Sequence, residues 1–236
     1  MIILGIDTTS TYCSVAILKD KEVLTSSVIN NGNTHSEVLL PQIKESFEKT
    51  GIGVGDVDLF ALSSCPGSFT GVRIGAATIK GLAFGSNKAC VGVSTIEALA
   101  YNLRSVDGIV VPVMDARRNQ FYNGIFRCKD GRVERLTEDR LISAQDLENE
   151  LESFEESIYF TGYGYDLARK SIKNQFVEDT PEELIPQNAC SVCALARKIY
   201  EESCDKSVFT DLLLKPGYLR ASQAERERKE KKEKNT

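Results

Sequence analysis

The amino-acid sequence predicts an α/β protein built from two copies of one βββαβα-type unit. Each half opens with an apolar strand that ends in an aspartate, Asp7 in the first half and Asp115 in the second. Each of these aspartates is followed by a hairpin whose turn contains another aspartate, Asp20 or Asp130, and then by helices. Because the order of elements occurs only twice, the pattern predicts a duplicated fold and not a solenoid.

The first half contains the clearest local signals. Thr34 and Glu37 form a predicted capping box at the start of a helix over 35–49. That helix is predicted to bury Leu39, Ile43 and Phe47, which recur at intervals of four residues. Further helices are predicted over 71–84 and over 95–103, the latter capped by Ser94 with Glu97. The predicted strands are 2–6, 12–18, 22–29, 57–63 and 89–93.

The second half repeats this order with weaker signals. We expect strands over 109–114, 121–128, 132–136 and 158–160, and helices over 144–152, 166–172 and 189–202. The boundary falls near the polar segment 105–108, which gives an N-terminal unit over 1–105 and a C-terminal unit over 106–220. Residues 221–236 contain no large apolar side chain and are predicted to be a charged, solvated tail.

Composition limits the class of protein. The chain has 236 residues, 42% of them hydrophobic, which is enough for a core without disulfides or a structural metal. Its net charge of -5 argues against a general nucleic-acid coat, although residues 215–236 hold eight basic and four acidic residues. The seven cysteines show no disulfide spacing, and neither a signal peptide nor a membrane-spanning stretch is evident. We therefore expect a soluble protein in the reducing cytoplasm, without a membrane partner.

Several motifs carry a resemblance to a known family. Strands that end in aspartate, arranged in two similar halves, resemble the actin-like ATPase superfamily (ASKHA, ribonuclease H-like). The finer match is to the TsaB (YeaZ) family, dense over 1–117 and sparse beyond. The matching motifs are GIDTTS at 5–10, THSEVLLP at 34–41, CPGSFTGVRIG at 65–75, KGLA at 80–83, VSTIEALA at 93–100, MDAR at 114–117 and PGYLR at 216–220.

This resemblance implies a function without catalysis by the chain itself. TsaB-like proteins pair with their paralogue TsaD, which carries out the transferase chemistry, together with the ATPase TsaE. The complex makes threonylcarbamoyladenosine at adenosine 37 of transfer RNA. By resemblance, the chain is an accessory subunit without catalytic residues.

The metal site of TsaD-type relatives is expected to be missing. Those relatives bind metal with two histidines four residues apart, and the matching positions are Thr95 and Leu99. The chain has a single histidine, so a two-histidine site elsewhere is excluded. We therefore expect neither a metal nor another cofactor.

The predicted nucleotide loops are degenerate. In the superfamily, a glycine in the turn after each strand-end aspartate lets backbone amides approach phosphates. The first turn, with Asp7, Thr8 and Thr9, has no glycine, and neither does the second, with Asp115 and Arg117. Gly162 and Gly164 lie where an adenosine-side loop is expected. These turns argue against tight, independent ATP hydrolysis, but leave open weak nucleotide binding or binding at a joint surface with a partner.

A partner surface is predicted on the helices 35–49 and 71–84. The first has more apolar residues than one buried stripe requires, and the second has small residues at four-residue steps, which permit close helix approach. The resemblance places both helices in a bundle with the equivalent pair of TsaD, or of a second copy when TsaD is absent. The expected contact residues are His35, Val38, Leu39, Leu40, Ile43, Phe47, Val72, Arg73, Ala76, Ala77, Lys80 and Gly81.

Other interpretations stay open at this point. The chain could act alone, as an ATP-dependent phosphotransferase or as a peptidase, or it could be a plain structural homodimer. A hydrolase built from Ser68, His35 and Asp7 is disfavoured, because Ser68 lacks the flanking pattern of a nucleophile elbow. The basic tail suggests at most indirect or weak contact with transfer RNA.

Overall fold

Five strands form the first of two β-sheets. A computed structural model describes residues 1–219 of the protein. The strands are β1 (Ile2–Asp7), β2 (Cys13–Lys19), β3 (Glu22–Ile29), β4 (Leu59–Cys65) and β5 (Ala89–Ser94), in the order β3-β2-β1-β4-β5. The hairpins make β1 to β3 antiparallel, whereas β4 and β5 continue the sheet in parallel with β1. All five strands lie where the sequence predicts them.

Three helices follow these strands: α1 (His35–Thr50), α2 (Phe69–Ser86) and α3 (Thr95–Asn102). The predicted capping at the starts of α1 and α3 is confirmed. Glu37 Oε2 accepts a hydrogen bond from the Thr34 amide at 2.9 Å, and Ser94 Oγ accepts one from the Glu97 amide at 3.0 Å. Helix α2 starts two residues before the predicted position, because Ser68 caps it.

The second sheet repeats the order of the first. Its strands are β6 (Gly108–Asp115), β7 (Gln120–Asn123), β8 (Phe126–Lys129), β9 (Arg132–Arg135), β10 (Arg140–Ser143), β11 (Ile158–Thr161) and β12 (Val177–Glu178). Strand β6 is central, as β1 is in the first sheet, with antiparallel partners on one side and the parallel strands β11 and β12 on the other. The predicted duplication is therefore confirmed.

One predicted strand is wrong. The segment 121–128 is divided into β7 and β8, which pair with different parts of β6. The interruption lies opposite Pro112, which has no N–H to donate to a neighbouring strand. At this point the Asn123 side-chain amide donates a hydrogen bond to the Pro112 carbonyl, at 3.1 Å. Strands β10 and β12 lie at the edges of the sheet and were not predicted.

The remaining helices are α4 (Ala144–Leu151), α5 (Tyr165–Ser171) and α6 (Ala189–Glu202), close to their predicted bounds. Helices α1 and α2 cover one face of the first sheet, and α4 and α5 cover one face of the second. Within residues 1–219, none of the helices combines the length and apolarity that a membrane span requires.

Helices α3 and α6 are exchanged between the two halves. Helix α6 packs on the first sheet, where Val192 and Cys193 contact a cluster that includes Ile3. Helix α3 packs Ile96 and Leu99 against the second sheet. The predicted boundary between 1–105 and 106–220 thus separates the two sheets in sequence, but not the helices that cover them. The predicted tail over 221–236 lies outside the described residues.

Candidate functional site

A cleft of about 710 Å³ opens between the two halves, at the carboxyl ends of β1, β4 and β6. Its walls come from three loops and from the C-terminal segment of the described chain. The wall segments are 9–11, 66–69, 114–119 and 217–219, with Tyr163 and Leu167 beside them. The two turns that follow the strand-end aspartates therefore face one common space.

Asp7 and Thr8, at the start of the first turn, are buried and do not line the cleft. Asp7 is buried at the end of β1, and its Oδ1 accepts hydrogen bonds from the amide and the hydroxyl of Thr9, at 2.9 and 2.7 Å. Its Oδ2 accepts a short hydrogen bond from the hydroxyl of Ser63. The hydroxyl of Thr8 donates to the carbonyl of Gly71 in α2, at 2.8 Å. The polar groups of this turn are thus engaged within the protein.

Burial raises the pKa of the Asp7 carboxyl above its ordinary value of 3.8, while hydrogen bonds from Ser63 and Thr9 and the nearby His35 oppose that shift. A raised pKa means that the folded state holds the proton more tightly, so the contribution of Asp7 to stability falls as pH rises through that pKa. We expect Asp7→Asn, which does not titrate, to gain stability relative to wild type as pH increases from about 4 to about 8.

Urea unfolding of both proteins across this pH range checks the expectation. The difference between the two free energies of unfolding should grow as pH rises above about 4 and level off once Asp7 is ionised in the folded state. A difference that stays constant would show that the Asp7 carboxyl is not held in a desolvated site.

The second turn presents guanidinium groups and no glycine. Asp115 is exposed, and its Oδ1 accepts a hydrogen bond from the Arg117 amide at 2.7 Å. Arg117, Arg118 and Asn119 have φ angles of 65°, 57° and 57°, a run of left-handed conformations that is unusual for residues with a Cβ. Without a glycine, the backbone of this turn cannot approach a ligand closely. The turn presents exposed side chains to the cleft instead.

The predicted adenosine-side glycines do not line the cleft. Gly162, with φ of 100°, donates its amide to the carbonyl of Ile185, and Gly164 donates its amide to the carbonyl of Val113. A Cβ at either position would lie within about 3 Å of the Val113 carbonyl oxygen. These glycines therefore allow close packing against β6, which corrects their predicted role in holding a ligand.

These contacts also decide whether the cleft fits the nucleotide that the fold family implies. A triphosphate needs backbone amides that point at its oxygens, and in the first turn the amide of Thr9 already bonds Asp7. Thr95 and Leu99, at the positions of the relatives' histidines, are both buried. Over residues 1–219, no three His, Cys, Asp or Glu side chains are grouped as metal ligands. The described residues therefore lack the turn glycines and the paired histidines that such a nucleotide site with its metal would use.

Helix α1 presents less apolar surface than the sequence suggests. Leu39 is only 1% exposed and Ile43 is also buried, so both belong to the core and not to a partner surface. Leu40 is 57% exposed. The buried stripe also contains Gln42 and Ser46, and the amide nitrogen of Gln42 donates to Ser27. Val38 and Phe47 are half-buried against the same core.

Helix α2 presents its small residues to solvent. Arg73, Ala77 and Gly81 are exposed along one stripe. Val72 and Ala76 are buried against the first sheet, which corrects their prediction as contact residues. Half-buried Lys80 donates a hydrogen bond to the carbonyl of Leu214, at 3.4 Å.

Sequence reasoning missed Phe84, whose side chain is 77% exposed on this face of α2. Its spacing of seven residues from Ala77 was the available signal, because residues two turns apart lie on one helix face.

His35, the first residue of α1, is half-buried. Its Nε2 donates to the carbonyl of Ser10 at 2.9 Å, which ties α1 to the turn after β1. Ser68 caps α2 by accepting from the amide of Gly71. The two side chains hold the backbone of neighbouring elements.

Residues 217–219 of the C-terminal PGYLR motif lie along the mouth of the cleft, and Arg220 lies outside the described residues. The rings of Phe69 and Tyr218 stack with centroids 4.6 Å apart, and the guanidinium of Arg73 lies 3.7 Å from the centroid of Phe69. Arg73 also donates a hydrogen bond to the hydroxyl of Tyr218, at 2.9 Å. These contacts, together with a bond from the Gly217 amide to the Ser64 carbonyl, hold this segment on the first half.

Two sheets of matching strand order, with a cleft at their strand-end loops, define an actin-like protein of the ASKHA type. The chain matches the family model described as "TsaD: tRNA N6-adenosine threonylcarbamoyltransferase" over residues 23–227. It is 30% identical over 179 residues to a Bacillus subtilis (strain 168) protein, "tRNA threonylcarbamoyladenosine biosynthesis protein TsaB", with 76% of each chain covered. The chain belongs to the TsaB (YeaZ) family.

Other comparisons agree with this assignment. A Haemophilus influenzae protein with the same TsaB name is 37% identical over 123 residues, which cover 51% of each chain. Among solved structures, a Pseudomonas aeruginosa protein described as similar to the peptidase YeaZ superposes with a TM-score of 0.78 at 22% identity. That alignment covers 93% of this chain and 99% of the other, which shows a shared fold.

Proposed function

We propose that this chain is a non-catalytic subunit in the synthesis of threonylcarbamoyladenosine at adenosine 37 of transfer RNA. It acts in the cytoplasm, pairs with a TsaD-type paralogue, and works with TsaE. The names of its relatives support the pathway. The buried, internally bonded Asp7 and the lack of glycine in both turns support a role without phosphate chemistry in this chain.

The outer face of α2 is the observation that carries the proposed pairing. Gly81 and Gly85 are exposed in the helix, and a Cβ at either would meet no atom outside the neighbouring helix backbone within 4 Å. Glycine inside a helix costs about 0.5–1 kcal/mol relative to alanine. Since nothing within the described chain requires these glycines, they fit the close approach of a helix from another protein.

Two exposed apolar side chains complete this docking face, which we define as Leu40, Ala77, Gly81, Phe84 and Gly85. Leu40 contributes from α1, which packs beside α2. A large aromatic side chain such as Phe84 is a typical anchor at the centre of an interface. In the absence of TsaD, a second copy of the chain covers the same face in a symmetric pair.

The test of this function is co-purification with TsaD combined with a transfer-RNA modification assay. We expect Leu40→Glu with Phe84→Glu to abolish the complex and the modification, because two carboxylates would be buried opposite the partner. Gly81→Gln should also weaken pairing by more than tenfold while it stabilises the isolated chain by about 0.5–1 kcal/mol.

Val28→Glu, at an exposed apolar residue on the edge strand β3, is the matched control and should leave pairing unchanged. Full complex formation and full modification by the Leu40→Glu, Phe84→Glu double variant would contradict the docking face. Full modification in an assay that omits this chain would contradict the accessory function itself.

The contacts of the cleft do not favour the stand-alone phosphotransferase or peptidase. Ser68 and His35, the residues that such a peptidase would need, are engaged in holding α1 and α2. The carboxylate of Asp7 is surrounded by donors from Ser63 and Thr9.

A further inference from the structure

The cleft retains two cationic side chains that the proposed pairing does not use. Arg117 and Arg118 are exposed on its wall, and in the described part of the chain neither lies within 4 Å of a carboxylate as an ion pair. Asp115 is the acidic residue of this wall, and one of its oxygens is bonded to the Arg117 amide. Two free guanidinium groups in a cleft are suited to phosphate oxygens.

The same cleft presents aromatic rings from both halves of the molecule. Tyr163, between β11 and α5, is 47% exposed. Tyr218, held on Phe69 and Arg73 of the first half, is 42% exposed. Rings that are half exposed at the mouth of a cleft leave one face available for a planar group, and an aromatic ring beside an arginine is the common combination for nucleic-acid bases.

These features favour a single nucleic-acid strand over a small molecule as the ligand of the cleft. A small-molecule site surrounds most of its ligand, whereas both tyrosines here are open to solvent. The two turns of the cleft also have no glycine to bring the backbone close to a triphosphate, and the amide of Thr9 is bonded to Asp7. What remains are stacking surfaces and cations along an open channel, the pattern of single-strand binding.

We propose that this cleft binds single-stranded RNA, with bases stacked on Tyr163 and Tyr218 and phosphates contacted by Arg117 and Arg118. The inference rests on the proposed function, and it makes the unpaired loop of the transfer-RNA substrate the ligand. The chain thereby contacts the substrate as well as the partner subunit.

The experiment is a fluorescence-anisotropy titration of a labelled transfer-RNA anticodon stem-loop with the full chain in its complex with TsaD. Tyr163→Ala should weaken binding roughly 5- to 150-fold, the usual effect of losing one stacking ring. Arg117→Asn with Arg118→Asn, which suits the left-handed backbone, should weaken binding and reduce the salt slope of log K by about 1.4.

The matched control is Lys129→Gln with Arg132→Gln, which removes the same charge from the exposed β8–β9 turn. That turn lies beside the opposite end of β6, about 20 Å from the cleft. The loss of its two charges should leave the RNA affinity within twofold of wild type. A fully paired RNA duplex and free ATP serve as competitors, and both should compete poorly with the loop.

Several results would overturn the inference: unchanged affinity in the cleft variants, an equal loss in the control, or displacement of the loop by ATP or by the duplex. Complex formation is measured on the same samples by co-purification. Intact pairing with unchanged RNA affinity would therefore reject the RNA site while leaving the proposed function in place.

Discussion

Leu39→Glu is expected to unfold the protein, whereas Leu40→Glu, one position along the same helix, should leave the isolated fold intact. Leu39 is 1% exposed and packs in the cluster between α1, α2 and the first sheet. Removing a buried leucine side chain costs about 2–5 kcal/mol, and an unpaired buried carboxylate adds to that loss. The total approaches the 5–15 kcal/mol by which typical proteins are stable.

Leu40 is 57% exposed, so the same substitution there should change the free energy of unfolding by no more than about 0.5 kcal/mol. Urea unfolding followed by circular dichroism measures both variants. A cooperative transition near the wild-type midpoint for Leu39→Glu would show that α1 does not bury this side chain. Any loss of pairing in Leu39→Glu reports unfolding, and only Leu40→Glu reports on the docking face.

Gly71→Ala is expected to have the next largest effect, because α2 starts in direct contact with the first turn. A Cβ at Gly71 would lie 1.9 Å from the Thr8 carbonyl oxygen, far closer than the atoms can approach. Thr8 cannot easily move, since its neighbours Asp7 and Thr9 are bonded to each other and its own hydroxyl bonds Gly71. We expect a loss of about 3 kcal/mol, as for an overpacked core.

Gly85→Ala is the matched control in the same helix. A Cβ at Gly85 meets no atom within 4 Å outside the adjacent helix backbone, so this variant should be about 0.5–1 kcal/mol more stable than wild type. Thermal unfolding of the two variants measures both effects. A destabilised Gly85→Ala, or a Gly71→Ala of wild-type stability, would contradict the position of α2 against the turn.

The elements that depend on local chemistry could be predicted from the sequence. The caps at Thr34 and Ser94 and the apolar strands that end at Asp7 and Asp115 each rest on a few adjacent residues. The duplicated order of strands followed from them.

Features that depend on distant contacts could not be predicted. The break between β7 and β8 lies opposite Pro112 on a neighbouring strand, and its local signal, the pair Asn123-Gly124, was not used in predicting one strand over 121–128. The buried face of α1 includes polar Gln42, which is tolerated because its amide bonds Ser27. Hydrophobic periodicity correctly predicted the burial of Leu39 and Ile43, whereas the apolar surplus of the helix led to their wrong assignment to the partner surface.

The features of the candidate site also divide into those visible in the sequence and those that depend on distant contacts. The lack of glycine after Asp7 and Asp115 was visible in the sequence, and it predicts turns without a glycine cradle. That Gly162 and Gly164 serve packing against β6 depends on a strand some fifty residues away, so their role was mispredicted. Phe84 was signalled only by its spacing from Ala77, and Tyr163 carries no local motif, so its exposure alone marks it.

The exchange of α3 and α6 has a consequence for how the chain can be cut. A fragment that ends at residue 105 would retain the first sheet but lose α6, leaving the apolar underside around Ile3 uncovered. The complementary fragment would lose α3 and expose Val110 and Met114. We expect that neither fragment folds on its own and that the two regain structure only when they associate. A single proteolytic cut in the connecting segment should therefore leave the two fragments bound to each other.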